Sequence, residues 1–376
     1  MRKPPVVILA GVRWDFLWQR HQTLATRFAL AGYDTCFVET TGLANPSPTP
    51  ATLRKFLSRL GRSGIRSSKP RGKQGLTVYA PLVAPPTLRS FRWANREVLL
   101  PRVVRDLRKM AGPHPVVLAY PPTRTTLGLI SGLEPRLVLY DCADDYEHFP
   151  GAPGDIGSTE RELLRRADLV SCTSTGLLEK VRPLRPDAFL SGPAVDYERF
   201  TILQVTRPVE EVRTVCFFGH VNRERIDLPV LRAIAGAGYV VRIVGDLGRV
   251  DRTFLRTPGV DYRGEASHEE LPAALSGVDA FVLPYRPGAL SRSISPAKTY
   301  ECLATGRPVV AAPLPAMEDL AGHVYLARSP EDYVKTLGHL AGTETEERVR
   351  ARIELSSANS WDARFAELEE ALWRFL

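Results

Sequence analysis

Lys298 and Glu301 stand three positions apart in the segment Ser295-Pro296-Ala297-Lys298-Thr299-Tyr300-Glu301-Cys302-Leu303-Ala304-Thr305-Gly306-Arg307-Pro308-Val309-Val310. A carboxylate at 301 accepts hydrogen bonds from a vicinal diol such as a ribose, and an ammonium at 298 reaches phosphate as a compact cation. The segment follows Ala280-Phe281-Val282-Leu283-Pro284-Tyr285, whose apolar run predicts a buried strand. Ser295 is placed to cap a helix and Pro296 to occupy its first turn. Gly306 then ends the helix and Val309-Val310 begins the next strand. The helix opens at the carboxyl ends of parallel strands, where unpaired N–H groups favour phosphate. These features predict a nucleotide-diphosphate site.

Other residues with chemistry to offer fall after predicted strands. Arg223 and Arg225 lie in the loop after a strand at 214–219, where a cation stabilises charge on a departing diphosphate; the competing reading is surface pairing with Glu224 or Asp227. Trp14, Trp18, Arg20 and His21 gather at the start of the first helix. Aromatic faces pack against sugar rings, and Arg20 and His21 are candidates to touch an acceptor; burial in a core is the alternative for both tryptophans. Asp141, Asp144 and Asp145 cluster after a strand at 137–142. They suit sugar hydroxyls or a helix cap better than a metal ion, although carboxylates are the right donors for Mg²⁺ or Mn²⁺.

The elements that position these groups follow one rhythm. Strands are predicted near 6–11, 34–39, 76–80, 116–120, 137–142, 169–173 and 188–191, with helices near 18–31, 92–110 and 158–167. The second half has strands near 214–219, 240–245, 260–263, 280–285, 309–312 and 324–327, and helices near 228–237, 267–276, 296–304 and 330–341. The alternation predicts an α/β chain with two Rossmann-like, doubly wound parallel-sheet domains facing a central cleft. The expected division is a first domain over 1–195, a linker over 196–212 and a second domain over 213–356. A last helix at 357–376 would cross back to the first domain.

The chain has 376 residues, 44% hydrophobic, enough for two well-packed cores. No apolar run reaches the roughly 18 residues of a membrane-spanning helix. Five scattered cysteines predict a reduced, cytoplasmic protein without a zinc site. The formal charge of +8 is uneven: no acidic residue stands between Glu39 and Glu97, while eight Lys and Arg residues fall within 54–73. A short basic amphipathic helix around Phe56, Leu57 and Leu60 would attract an anionic membrane surface. No nucleic-acid motif accompanies the charge.

The stretch from Cys216 to about Leu337 resembles the C-terminal domain of GT-B glycosyltransferases, in particular the large retaining group called family 4. The resemblance is carried by Phe218-Gly219-His220, Val244-Gly245, Val260-Asp261-Tyr262-Arg263-Gly264, His268-Glu269-Glu270-Leu271-Pro272, Asp279–Tyr285 and Ser295–Val310. Leu139–Tyr146 and Arg166–Ser174 are similar to a bacterial subgroup associated with teichuronic-type and other cell-surface polysaccharides. Pro193–Phe200 resembles the family's linker entry.

The resemblance implies a glycosyltransferase with a nucleotide-diphosphate sugar as donor, no metal or other cofactor, and a glycan, lipid-linked or small-molecule acceptor. It implies donor contacts from Gly11, Gly219, Arg223, Arg225, Gly264, Lys298 and Glu301. Trp14, Trp18, Arg20 and Asp141 fall to the acceptor or sugar. The family's paired glutamates, eight positions apart, keep only the second, Glu301, because position 293 is Ser. With retention, the departing phosphate takes the acceptor proton. With inversion a base is needed, and Asp15, His21, Asp144 and Asp145 are the candidates, with His21 and Asp144 named first. A nucleotide-sugar 2-epimerase and a non-catalytic nucleotide-sugar-binding accessory protein are the alternatives.

Overall fold

The computed structural model describes residues 3–15, 18–39, 64–66, 75–84, 89–149, 151–222, 224–248, 252–286, 288 and 297–376. The chain divides into two compact units. One comprises residues 1–173, 177–191 and 365–376, and the other 174–176 and 192–364.

The first unit is built on strands β1 (Val6–Leu9), β2 (Thr35–Val38), β3 (Gly64–Arg66), β4 (Leu76–Ala80), β5 (Val116–Ala119), β6 (Leu137–Cys142), β7 (Leu169–Cys172) and β8 (Phe189–Leu190). They lie in the order β3-β4-β2-β1-β5-β6-β7-β8. All pairings are parallel except β3 with β4. β1, β2, β5, β6 and β7 are buried along their whole length, the mark of parallel strands covered on both faces. The described helices of this unit are α1 (Arg20–Leu30), α2 (Arg89–Ala94), α3 (Leu100–Ala111), α4 (Arg124–Leu133), α5 (Ile156–Arg166) and α6 (Thr175–Val181), whose first two residues fall to the second unit. A π-helical turn, Asn95–Leu99, joins α2 to α3.

Three features of this unit depart from the sequence reading. β3 is a short antiparallel edge strand inside the basic segment 54–73. The remainder of that segment, including the expected helix at Phe56–Leu60, lies outside the described residues. α4 was not expected, because its stretch Arg124–Leu133 has no wide polar face to set against an apolar one. It is nonetheless started by Thr123, whose Oγ1 accepts the Thr126 N–H at 3.2 Å. Its Gly128 and Gly132 let α3 approach: a Cβ at either would stand 2.8 Å from Leu100 Cδ1 or 2.6 Å from Val104 Cγ2. α6 was likewise unexpected.

The second unit has six parallel strands: β9 (Thr214–Phe218), β10 (Val240–Val244), β11 (Val260–Tyr262), β12 (Ala280–Leu283), β13 (Val309–Ala311) and β14 (Tyr325–Leu326). Their order is β11-β10-β9-β12-β13-β14. The helices are α7 (Tyr197–Phe200), α8 (Leu228–Gly236), α9 (Leu271–Ala274), α10 (Lys298–Ala304), α11 (Pro315–Glu318), α12 (Pro330–Thr343), α13 (Glu346–Ala358) and α14 (Trp361–Trp373). Ser329 caps α12 by accepting the Asp332 N–H, with Pro330 in the first turn. A helix expected over 267–276 is shorter than that. Ser267 and Glu270 form a capping box ahead of α9, each side chain accepting the other's backbone N–H.

Residues 196–212, read as a linker, instead belong to the second unit. Phe200 and Leu203 are buried in its core beside Val215 and Phe217. α14 starts with the second unit, but from Phe365 onward it is part of the first. There Phe365 meets Phe28 edge-on at 5.0 Å, and Glu369 accepts hydrogen bonds from Lys3 and Tyr33, each at 2.7 Å.

Candidate functional site

Each sheet reverses its strand order at one place, between β1 and β5 in the first unit and between β9 and β12 in the second. Open α/β sheets bind ligands in the crevice that such a reversal leaves at the carboxyl ends. Gly11 follows β1 and Gly219 follows β9, whereas Asp141 and Asp144 stand at the end of β6 and Gly264 follows β11.

In the second unit the three strands on the β9 side of the reversal are followed by left-handed glycines: Gly219 after β9, Gly245 after β10 and Gly264 after β11, with φ of 103°, 135° and 77°. The turns are stitched together by Gly219 N–H donating to Val244 O at 2.8 Å and Gly245 N–H donating to Gly264 O at 2.7 Å. A side chain at Gly245 would run into the Gly219 carbonyl. A Cβ at Gly219 would sit 2.5 Å from Lys298 Nζ. Lys298 comes from α10 and donates to Phe218 O at 2.6 Å, with its ammonium 4.4 Å from the Phe217 ring centroid. Its described partners are thus a carbonyl and aromatic faces, so the positive charge meets no carboxylate among the described residues.

Glu301, one turn further along α10, forms no ion pair or hydrogen bond within the described residues. Burial pushes its carboxyl up to about 7, against the pull of Lys298 and with a further push from Asp196. Lys298 and Glu301, three positions apart on one helix, form no ion pair with each other. Arg225 is half-buried and meets no carboxylate among the described residues, while its backbone carbonyl accepts the Arg286 N–H at 2.7 Å. His220 is held by Asp246, Nδ1 to Oδ2 at 2.8 Å. Arg223, Ser293, Ser295 and Pro296 lie outside the described residues, and α10 is described from Lys298 onward.

In the first unit Gly11, at φ 69°, follows β1 and packs on Pro121 after β5: a Cβ there would stand 2.8 Å from Pro121 Cγ. His21, on the first turn of α1, is buried with its ring 3.9 Å from that of Tyr120. Its Nδ1 has no hydrogen-bond partner among the described residues. Burial pushes the imidazole down to about 4, with Asp141 opposing and Arg20 assisting. Trp14 is half-buried, packed edge-on against Phe37 at 5.0 Å and Trp18 at 5.4 Å. Trp18 is the more open of the two, at 46% exposure.

Asp141 and Arg20 differ from the expectation that they meet a sugar. Asp141 is fully buried and accepts from Arg20 Nε at 2.6 Å and Ser171 Oγ at 2.7 Å, while Arg20 also donates to Ser191 Oγ at 2.8 Å. A carboxylate at the end of a central strand must be compensated within the fold, and the guanidinium on α1 does so. The pair fixes the start of α1, and with it His21.

The loop after β6 is braced in another way. Lys180 donates to Asp145 at 2.8 Å and to Glu160 at 2.9 Å, and the Tyr140 hydroxyl donates to Glu160 at 2.7 Å. Burial pushes Asp145 upward, but Lys180 and His148 hold it below the usual carboxylate range. Asp144 stands beside it, half-buried. Tyr120, Pro121, Ser171 and Ser191 were not singled out from sequence. Tyr120 and Pro121 had a usable signal, since Tyr120 ends a predicted strand and Pro121 follows it.

A consequence of His21's burial is acid sensitivity. In the unfolded chain the imidazole takes a proton below its ordinary 6.5, whereas in the fold it resists until about 4. Stability should therefore fall by roughly 3 kcal/mol as pH drops through that window. Urea midpoints measured from pH 7 to pH 4 should show the loss, and His21→Gln should flatten it.

Two doubly wound sheets of this kind define the GT-B class of fold. Residues 212–342 match the family model described as Glycosyl transferases group 1. A Bacillus subtilis (strain 168) glycosyltransferase named for teichuronic acid biosynthesis, TuaH, is 25% identical over 262 residues, which is 61% of this chain and 65% of that protein. The chain thus matches just under two-thirds of the relative's length.

Two solved structures superpose over nearly the whole chain. Anabaena Alr3699/HepE in complex with UDP-glucose has a TM-score of 0.63 at 14% identity, covering 98% of this chain and 99% of its own. The lipopolysaccharide outer core galactosyltransferase WaaB has a TM-score of 0.62 at 14% identity, covering 99% and 100%. Residues 212–342 are thus similar to the group 1 glycosyl transferases, and the solved structures show that the chain has the GT-B fold.

Proposed function

We propose that the protein transfers a sugar from a nucleoside diphosphate sugar to a hydroxyl acceptor, with retention at the anomeric carbon. The observation that carries this reading is the pair on α10. An uncompensated ammonium, Lys298, sits at the glycine-lined end of β9, and an unpartnered, half-buried carboxylate, Glu301, follows one turn on.

Glu301 would accept from the ribose diol, and Lys298, Arg225 and Arg223 are the cations proposed for the diphosphate. Gly219 and Gly264 would let the donor approach the backbone. The bond between the anomeric carbon and the diphosphate oxygen breaks, its electron pair leaving with the diphosphate. The acceptor oxygen attacks the same face and passes its proton to that departing oxygen. His21 supports this order of events, because an imidazole held near 4 is a weak base at neutral pH. Its free Nδ1 suits a hydrogen bond from an acceptor hydroxyl, with Trp18 and Trp14 against a sugar face and Asp144 and Gly11 nearby in role.

The HepE complex makes UDP-glucose the first donor to test, and the teichuronic name of the B. subtilis relative points to a cell-surface glycan or its lipid-linked precursor as acceptor. Action at the cytoplasmic side of a membrane, reached through residues 54–73, fits that acceptor. The described part of the chain contains no helix long and apolar enough to cross a membrane.

UDP, GDP, TDP and ADP should be compared by thermal shift, since a ligand that binds only the folded state must stabilise it. No shift with any of the four would end the proposal. Incubation with the nucleotide sugar that binds separates its rivals: released nucleotide marks transfer, a changed sugar marks epimerisation, and binding without turnover marks an accessory role.

Donor affinity should also depend on the charge of Glu301. A carboxylate accepts two strong hydrogen bonds, whereas the protonated form accepts one and donates one. Affinity should therefore weaken as pH falls through about 7. Glu301→Gln should bind roughly tenfold more weakly at pH 8 and abolish the pH dependence. Calorimetry that finds the variant equal to the native protein at pH 8 removes the ribose role.

A further inference from the structure

Helix α2, the π-helical turn and α3 form one continuous helical element over 89–111. Its inner stripe, Leu100, Val103, Leu107 and Ala111, is buried in the core of the first unit. Its outer surface is cationic: Arg92, Arg96, Arg102, Arg105, Arg108 and Lys109 are all exposed, against a single exposed acid, Glu97. Arg96 lies against Glu97 at 3.2 Å, and Arg108 lies 3.3 Å from Glu134. Arg92, Arg102, Arg105 and Lys109 meet no carboxylate among the described residues. At the leading end Trp93 is 63% exposed and Phe91 39% exposed, large apolar areas for a helix that has a core to pack on.

A recess of about 1180 Å³ opens beside this end, between α2, α4 and α5. Its walls contain the ion pairs Arg124–Asp155 and Arg166–Glu162, and Arg92 and Trp93 of the helical element line it as well. Arg102, Arg105 and Lys109 do not line the recess and lie further along the outer helical face. That face adjoins the edge of the sheet that carries the basic segment. β3, the described part of 54–73, pairs with β4, and Tyr79 of β4 donates its hydroxyl hydrogen to Asp106 of α3 at 3.0 Å.

We propose that this helical face is a docking surface for an anionic lipid bilayer, with Trp93 and Phe91 entering the headgroup boundary and Arg92, Arg102, Arg105 and Lys109 contacting lipid phosphates. Cations spread along a helix with aromatic residues at one end are the composition that lies in a membrane interface. Each cation near a negatively charged leaflet raises the partition coefficient about fivefold. The inference stands independently of the transfer reaction, because none of these side chains belongs to the donor or acceptor residues.

Full-length protein is sedimented with vesicles of phosphatidylcholine alone and of phosphatidylcholine with about a third phosphatidylglycerol. Binding to the anionic vesicles only, released by high salt, is expected. Combining Arg92→Gln, Arg102→Gln and Arg105→Gln should lower the partition coefficient roughly a hundredfold, and Trp93→Ala roughly tenfold. These side chains are exposed, so unfolding midpoints and donor affinity should match the native protein. The single Arg102→Gln, with about a fivefold loss, serves if the triple variant is unstable.

Equal sedimentation with both vesicle types overturns the proposal, as does native binding by the charge variants, which would assign membrane contact to 54–73 alone. Capture of a soluble polyuronate in place of anionic vesicles would also overturn it, making the face a polysaccharide surface instead.

Discussion

Lys298→Met should lower the turnover of sugar transfer, or of slow donor hydrolysis, by roughly a hundredfold to a thousandfold. The ammonium is fixed before any donor arrives, by the Phe218 carbonyl at 2.6 Å and the Phe217 ring at 4.4 Å. These partners orient the charge without neutralising it. Negative charge on the diphosphate grows as the glycosidic bond breaks, so a fixed cation lowers the transition state more than the bound ground state. Methionine keeps the length and the aromatic contact but removes the charge.

The fall should therefore appear in kcat as well as in kcat/KM, whereas Glu301→Gln, which touches the unreacting ribose, should act mainly through KM. Released nucleotide followed under saturating donor measures both. A Lys298→Met enzyme within twofold of native kcat would remove Lys298 from the reaction.

The largest effect on stability should come from Glu344→Gln, a loss of roughly 3–5 kcal/mol. Glu344 and Arg352 have fully buried side chains. Arg352 Nη1 donates to Glu344 Oε2 at 2.7 Å and to Gly306 O at 2.8 Å, its Nη2 donates to Glu344 Oε1, and its Nε donates to His323 O at 3.1 Å. The Tyr325 hydroxyl donates to Glu344 Oε1 at 2.6 Å. One guanidinium thereby ties α13 to the turn after α10 and to the approach to β14.

Neutralising Glu344 leaves a buried positive charge with carbonyl partners only. Removing both partners, with Glu344→Leu and Arg352→Met together, deletes the charges as a pair and should recover much of the loss. Urea midpoints of the single and double variants provide the check. A single variant within 1 kcal/mol of native would show that water reaches the pair.

The sequence was most legible where burial and secondary structure share one period. β1, β5, β9 and β12 read as near-continuous apolar runs because parallel strands are covered on both faces. Glu301 was also legible, as a lone carboxylate in the helix of Tyr300, Cys302, Leu303 and Ala304, one turn after Lys298. α13 was not read as a helix. Its buried positions, Val349, Arg352 and Ser356, are mostly polar and break the apolar stripe that betrays a helix. α4 was lost for the opposite reason, being buried at most of its positions with glycines where α3 approaches.

Composition and order along the chain thus determined the two sheets and the residue types at their carboxyl ends, because side-chain period and turn chemistry are local properties. Which of those residues stay open to a ligand was decided only by the tertiary structure. Asp141 and Lys298 are both charged groups near strand ends, yet Arg20 and Ser171 close over the first. The second is left uncompensated, because its neighbours are a carbonyl, aromatic rings and a glycine with no side chain to crowd it. Charge compensation depends on partners far apart in sequence, 121 residues for Asp141 and Arg20, and no local pattern records it.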